Sequence, residues 1–332
     1  MNKKIFIYAG YAPSPYNGSN YQNAKGCRGS EIALVNLAEQ LAKRNEVTVS
    51  YTPILDGVVN GVRYLPFEEV QSFLQKNDID VLIVSRYIHF FAKFKSKAKK
   101  TFLMLHDNEV CPWIWGESLP ERGSILLREV WDQLDGVFFL SEWHRDNFRD
   151  IYGISSNSKL EIIPNGIDPS KFSSFSPDRK PKNKFCYNSW NGGMEKAISF
   201  FNKYRESQPN SELHIFSDGE SNEDSQIFYR GFVPNDVMIE ELITSYFWLY
   251  PAVIPETYCI SALEARCAGC VPVVNCVGGL RDSLSGYFLD INDPDINSKM
   301  ESVNLEIFWK ESRGKALNNS WDRVSRKWES HF

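Results

Sequence analysis

At 332 residues the chain is too long for one small core, and about 100 to 200 residues per domain predicts two. Hydrophobic, aromatic and charged fractions of 42%, 14% and 24% are those of a soluble globular protein and exclude a disordered or fibrous chain. A net charge of -5 argues against nucleic acid as a partner, and no apolar run approaches the ~18 residues needed to cross a bilayer.

The opening "MNKKIFIYAGYAP" has the lysines of a signal peptide, but its apolar stretch is short and carries two tyrosines, so a buried first strand is expected. "KIFIYAG", "EVTVSY", "DVLIVS", "TFLMLH", "GVFFLS" and "KLEII" follow as short, nearly continuous hydrophobic segments, the pattern of strands covered on both faces. Between them lie amphipathic helices. In "SEIALVNLAEQLAKR", Ile32, Val35, Ala38, Leu41 and Ala42 recur at helical spacing. "SILLREVWDQL" and "EWHRDNFRDIY" are the later helices, and the alternation predicts a doubly wound parallel sheet.

The proline-, serine- and charge-rich "IIPNGIDPSKFSSFSPDRKPKNK" is the expected domain boundary, after which the pattern restarts. Strands "KFCYNS", "ELHIFS", "IFYRGF", "YFWLYP" and "VPVVN" alternate with helices "GMEKAISFFNKYRES", "NDVMIEELI" and "PETYCISALEARCAGC". The expected organisation is a Rossmann-like domain over 1–165, a hinge over 166–183, a second Rossmann-like domain over 184–304 and a terminal segment over 305–332. Two such domains place their strand carboxyl ends around one central cleft, where open α/β sheets bind ligands.

Seven cysteines, an odd number, suit free thiols in a reducing, cytoplasmic compartment. Cys267 and Cys270 form a C-x-x-C pair at a helix end, with Gly269 as C-cap, and this placement favours a structural role over redox or zinc chemistry.

Within that last helix Glu264 stands among apolar residues, and a buried carboxylate needs a partner or a ligand. Glu256 precedes it by eight residues, about 12 Å along a helix axis, comparable to the span of a sugar diphosphate. A helix start at Thr257, Tyr258 and Cys259 offers unpaired N–H groups to phosphate. A nucleotide sugar fits this spacing, with Glu264 on the ribose. A packed ion pair of Glu264 with a basic residue fits it equally well.

"WLYPAVIPETYCISALEARCAGCVPVVNCVGGL" resembles the E-x7-E region of the family 4 glycosyltransferases, retaining enzymes of the GT-B fold. "RGSEIALVNLAEQLAKRNEVTVSY", "FFLSEWHRDNF" and "LEIIPNGIDPSKF" resemble the first domain and hinge of the same family, and the similarity extends from Lys4 to about Gly286. The resemblance implies a first domain on the acceptor side, a second that binds the donor, and a terminal helix over 305–332 that returns to the first. It implies that Glu256 contacts the donor sugar and Glu264 the ribose, while Gly29 lets the backbone approach the diphosphate. His106 and Asp107, after "TFLML", take the place of the family's histidine or aspartate near the reacting carbon, so Glu256, His106 and Asp107 are the expected catalytic residues. Thr257, Tyr258, Cys259, Gly278, Gly279, Asn191 and Gly192 complete the expected donor site. Transfer of a hexose from a UDP-, GDP- or ADP-sugar to the hydroxyl of a carbohydrate-bearing acceptor is expected, by front-face substitution and with no metal or other cofactor.

One departure stands out. The family's arginine and lysine for the leaving diphosphate are missing from "YNSWNGGMEKA", which has no basic residue before Lys196. Lys196, Arg230, Arg281 or the backbone of 191–193 are the candidates to replace them, and the absence supports an alternative reading as a catalytically silent sugar-nucleotide or glycan-binding protein. A dinucleotide oxidoreductase is disfavoured, because "GYAPSPYNGS" has no G-x-G-x-x-G and "VSYTP" no acidic residue for a ribose. "DIDVLIV" holds a D-x-D, but at the start of a buried strand and away from any crevice. "FFAKFKSKAKK", residues 90–100, suits a solvated helix face or peripheral contact with an anionic membrane. Trp113 and Trp115 could stack on a carbohydrate or anchor loop packing.

Overall fold

The computed structural model describes residues 2–22, 24–110, 113–114, 117–118, 120–155, 158–188, 192–221 and 223–332, leaving aside the side chains of 113–114, 117–118 and 120–122. The chain divides into two compact units, Met1–Gly166 with Trp321–Phe332, and Ile167–Ser320.

The first unit contains strands β1 (Lys4–Tyr11), β2 (Glu46–Thr52), β3 (Gly57–Val59), β4 (Val62–Tyr64), β5 (Val81–Ser85), β6 (Lys100–Met104), β7 (Trp113–Ile114), β8 (Glu117–Ser118), β9 (Gly136–Phe139) and β10 (Leu160–Ile162). Eight of them form one sheet in the order β10-β9-β6-β5-β1-β2-β4-β3, and β7 pairs with β8 apart from it. Every pairing in the large sheet is parallel except β3 with β4. The amino-terminal segment is thus an interior strand, buried from Ile5 to Gly10.

The helix Gly29–Ala42 buries Leu34 and Leu37 as well as the expected Val35, Ala38 and Leu41, while Ile32 and Ala42 stay half-buried. Its apolar surface is wider than one stripe because it is covered from two sides. The helix Trp321–Glu329 brings Trp321, Val324 and Trp328 into the same core. Arg44 locks that contact, donating to Glu329 and Asp322. A β carbon on Gly166 would lie 2.8 Å from the Trp321 backbone nitrogen, so the glycine of the "PNGID" motif is needed where the returning chain crosses it.

The second unit holds β11 (Lys184–Tyr187), β12 (Glu212–Ile215), β13 (Ile227–Tyr229), β14 (Phe247–Tyr250), β15 (Val271–Val274) and β16 (Leu289–Asp290). They form one all-parallel sheet, β13-β12-β11-β14-β15-β16. The strand order reverses between β11 and β14, and in open α/β sheets that switch point is where ligands bind, beyond the strand carboxyl ends.

Several sequence-based expectations are corrected. The stretch 166–183 is no free linker. It carries the 3-10 turns Pro169–Phe172 and Pro177–Arg179, and it buries Phe172 and Lys180 in the second unit. The return to the first unit begins at Trp321, not 305, because the preceding helices stay on the second unit, where Ser312 and Arg313 bond Arg266 and the Cys267 carbonyl. In 90–100 the helix lasts only four residues, Phe90–Lys93, and Phe90 and Phe94 are buried in the first unit's own core. Those two rings are therefore withheld from a bilayer. No helix among the described residues is long and apolar enough to cross a membrane.

Cys267 and Cys270 are free and buried, and burial pushes both thiols up, Cys267 to about 12. Such thiols are poor nucleophiles at neutral pH, consistent with a structural role.

Candidate functional site

At the switch point of the second sheet, the loops after β11 and β14 run against each other. Gly192 and Gly193 adopt φ of +81° and +89°, and a β carbon on Gly193 would meet the Pro251 carbonyl oxygen at 2.1 Å. Only glycine permits both the left-handed backbone and that approach. Trp248 Nε1 donates to Asn188 Oδ1 at 2.7 Å and its ring stacks on Tyr250 at 4.7 Å.

Tyr250 continues this ladder, donating its hydroxyl to Glu256 Oε1. The backbone of Glu256 is fixed as well, bridging in parallel to Gly278 and accepting the Gly279 N–H at 2.5 Å. Glu256 is half-buried. Gly278 and Gly279 thus set the backbone of the first glutamate.

Glu264 is held differently. Its Oε1 accepts Asn235 Nδ2 at 3.1 Å, and Asn235 Oδ1 accepts Lys171 Nζ at 2.7 Å. The packed ion pair weighed in the sequence is replaced by a lysine that reaches the carboxylate through an amide. Burial raises the Glu264 pKa, while the Asn235 hydrogen bond and the Lys171 charge oppose the rise. Among the described residues Asn235 is the only hydrogen-bond partner of its carboxylate.

The helix here is shorter than expected. It spans Ile260–Cys267, with Cys259 as an extended N-cap at φ -100° and ψ 107°. The rise between Glu256 and Glu264 is therefore not helical throughout, and the 12 Å estimate does not apply. The Cys259 N–H already donates to Ser283 Oγ at 2.9 Å, which removes one amide from a prospective anion. Tyr258 Oη accepts Asn319 Nδ2 at 3.3 Å, and Tyr258 and Thr257 are half-buried. Of the basic candidates, Lys196 stands exposed in the first turn of the helix Met194–Arg205, Arg281 is exposed two residues after Gly279, and Arg230 is exposed just past β13. Asn191 and Trp115 lie outside the described residues, as does the side chain of Trp113.

In the first unit, Gly29 opens the helix Gly29–Ala42, as expected, behind a capping box in which the Arg28 N–H donates to Glu31 Oε2 at 3.0 Å. Asp107 is committed to an ion pair. Arg86 donates Nε and Nη2 to its two carboxylate oxygens at 2.8 and 3.0 Å, and Nη1 to Glu31 Oε1 at 3.1 Å and Ser30 Oγ at 2.9 Å. His106 borders an internal cavity of about 10 Å³ with Met104, Phe138, Trp321 and Trp328. Burial, then the Arg86 charge, depresses its pKa to about 3, so the ring is neutral at physiological pH. His144, also neutral through burial at about 4, donates Nε2–H to the Asp107 carbonyl at 2.8 Å and accepts the Leu140 N–H at Nδ1. These bonds pin the turn after β6.

Arg86, Tyr250, Asn235 and Lys171 are the residues that sequence reasoning missed. Lys171 does lie inside the quoted "PSKF", and Arg86 follows the strand "VLIVS" directly, a position at a sheet's carboxyl edge.

The family described as Glycosyltransferase Family 4 matches residues 27–171. Sucrose-phosphate synthase from Thermosynechococcus elongatus superposes with a TM-score of 0.68 at 12% identity, covering 99% of this chain and 98% of that one. Anabaena HepE in complex with UDP gives 0.70 at 14% identity, covering 98% of each chain. A glycosyltransferase from Rickettsia africae gives 0.70 at 11% identity, covering 100% of this chain and 98% of that one. No curated protein sequence matches. At these identities the structural likeness is one of fold, and that fold is GT-B, with two Rossmann-like units. The resemblance to the family 4 glycosyltransferases is borne out, by the family match over residues 27–171 and by the GT-B fold of the similar structures.

Proposed function

We propose that this protein is a retaining glycosyltransferase that moves a hexose from a nucleotide-diphosphate sugar to an acceptor hydroxyl of a glycan, lipid or protein-linked sugar. The observation that carries the reading is the pair of glutamates in the second unit, each oriented by its own hydrogen-bond partner beside the switch point of a parallel sheet. Anabaena HepE, of the same fold, has been solved in complex with UDP-glucose, which supports a uridine nucleotide as the first donor to try.

In this reading Glu256, braced by Tyr250, accepts hydroxyls of the donor sugar, and Glu264 accepts those of the ribose. The loop at Gly192 and Gly193 brings backbone amides at the start of the Met194–Arg205 helix toward the diphosphate, with Lys196 or Arg281 as cationic support. No metal is invoked. Asp107, tied to Arg86, organises the turn that carries His106, and the neutral His106 ring serves as a hydrogen-bonding group rather than a cationic acid. A cytoplasmic location, from the odd number of cysteines, and peripheral contact of the lysine-rich stretch 90–100 with an anionic membrane belong to the same proposal.

The absence of arginine and lysine between Tyr187 and Glu195 favours a second reading, a protein that binds a sugar nucleotide without turnover. Thermal stabilisation across UDP, GDP, ADP and their sugar conjugates tests the first step, because a ligand of the native state raises Tm by mass action. Donor hydrolysis and transfer by Glu256→Ala test the next. Unchanged rates in that variant would remove Glu256 from the mechanism, and binding without turnover by the wild type would select the second reading.

A further inference from the structure

Glu264 receives its positive partner at one remove. An ammonium has only donors, so Lys171 Nζ fixes the Asn235 carboxamide with its oxygen toward the lysine and its NH2 group toward Glu264. The three residues belong to three different elements of the second unit, the turn Pro169–Phe172, the first position of the helix Asn235–Thr244, and the helix Ile260–Cys267. Core packing alone would be served better by an apolar side chain at 264 than by a half-buried carboxylate with one neutral donor. The arrangement occupies Oε1 and leaves Oε2 without a hydrogen-bond partner among the described residues.

We propose that Lys171 and Asn235 are positioning residues that hold the Glu264 carboxylate so that it accepts the two vicinal hydroxyls of the donor's ribose. The amide link matters. A lysine bonded directly to Glu264 would compete with the ribose for the same oxygens, whereas the amide supplies one donor, sets the rotamer and relays the charge. Lys171 and Asn235 therefore act on nucleotide affinity through Glu264 and need touch no part of the ligand themselves. This inference rests on the nucleotide-sugar reading above.

The experiment is isothermal titration of the full chain with UDP, GDP and ADP, and with the 2′-deoxy and 3′-deoxy forms of whichever binds, for the wild type, Lys171→Met, Lys171→Arg and Asn235→Ala. Loss of an oriented charge-assisted hydrogen bond predicts binding of the ribonucleotide roughly tenfold weaker in Lys171→Met and Asn235→Ala. Lys171→Arg restores most of that loss, and the penalty largely disappears for the deoxynucleotides, which lack the hydroxyl pair. Equal weakening for ribo- and deoxynucleotides would assign the two residues a merely structural role and overturn the proposal. Wild-type affinity in the variants would overturn it as well. Failure of the wild type to bind any of the three nucleotides would instead remove the nucleotide-sugar reading, and the relay with it.

Discussion

The backbone of Gly278 lies directly against that of Glu256. A β carbon on Gly278 would come within 2.6 Å of the Glu256 carbonyl oxygen and 2.8 Å of its nitrogen, and Gly278 has φ +63°. Gly278→Ala must therefore displace the loop that carries Glu256 and strain its own backbone, a combined cost of about 1 to 3 kcal/mol. Gly286 has φ +79° with open space around it, so Gly286→Ala bears the conformational cost alone. The expected result is a larger fall in Tm for Gly278→Ala than for Gly286→Ala, with weaker donor binding only in the former. Equal Tm losses and equal donor affinities would remove the packing argument.

Glu264→Gln is expected to move stability and binding in opposite directions. Burial raises the Glu264 pKa above its unfolded value, so keeping the carboxylate ionised costs folding stability. That cost is absent where both folded and unfolded forms are protonated, and it appears as pH rises through the folded pKa. Glutamine keeps an oxygen for Asn235 and has no charge to desolvate, so the ligand-free variant should melt higher at pH 7, with the gap closing on acidification. Nucleotide affinity should fall by about 1.5 to 3 kcal/mol, the usual value of hydrogen bonds to a charged group. A lower Tm with intact affinity would contradict both halves.

Arg86 holds two carboxylates, Glu31 and Asp107, and Glu31 is only 8% exposed. Arg86→Met keeps the stem but leaves Glu31 without its cation, which is expected to cost about 3 kcal/mol in chemical denaturation. The double variant Arg86→Met with Glu31→Gln should recover part of that loss, because the uncompensated buried charge is gone. No recovery would mean that packing, and not charge, is what Arg86 supplies.

His106 and His144 are both held neutral by burial, at about 3 and about 4. Their imidazole resonances in NMR should stay constant between pH 6 and 8, and transfer activity should show no ionisation assignable to either ring in that window. If the His106 ring titrates near pH 6.5, it is accessible to solvent, and the neutral role proposed for it fails.

Much of this architecture was legible in one dimension. The helix Glu142–Tyr152 has the bounds read from its sequence, because Ser141 caps its start and Gly153 takes the left-handed conformation at its end. The interior strands of both sheets announced themselves as short continuous hydrophobic runs, since strands buried on two faces need no polar alternation. The hairpin β3–β4 and strand β16 were not legible, being two or three residues long at sheet edges, where few side chains are buried.

The composition and spacing of the residues determined the fold class, the two Rossmann-like units and the two glutamates worth asking about, because those follow from local periodicity and from the rarity of a carboxylate in an apolar helix. Tertiary structure decided which groups meet them. Lys171 and Asn235 are 64 residues apart, Asn235 and Glu264 are 29 apart, and Arg86 stands 55 residues from Glu31. Only the order in which strands pair brings such residues within 3 Å or so of each other, and that order depends on how whole hydrophobic faces are buried, which no window of sequence contains.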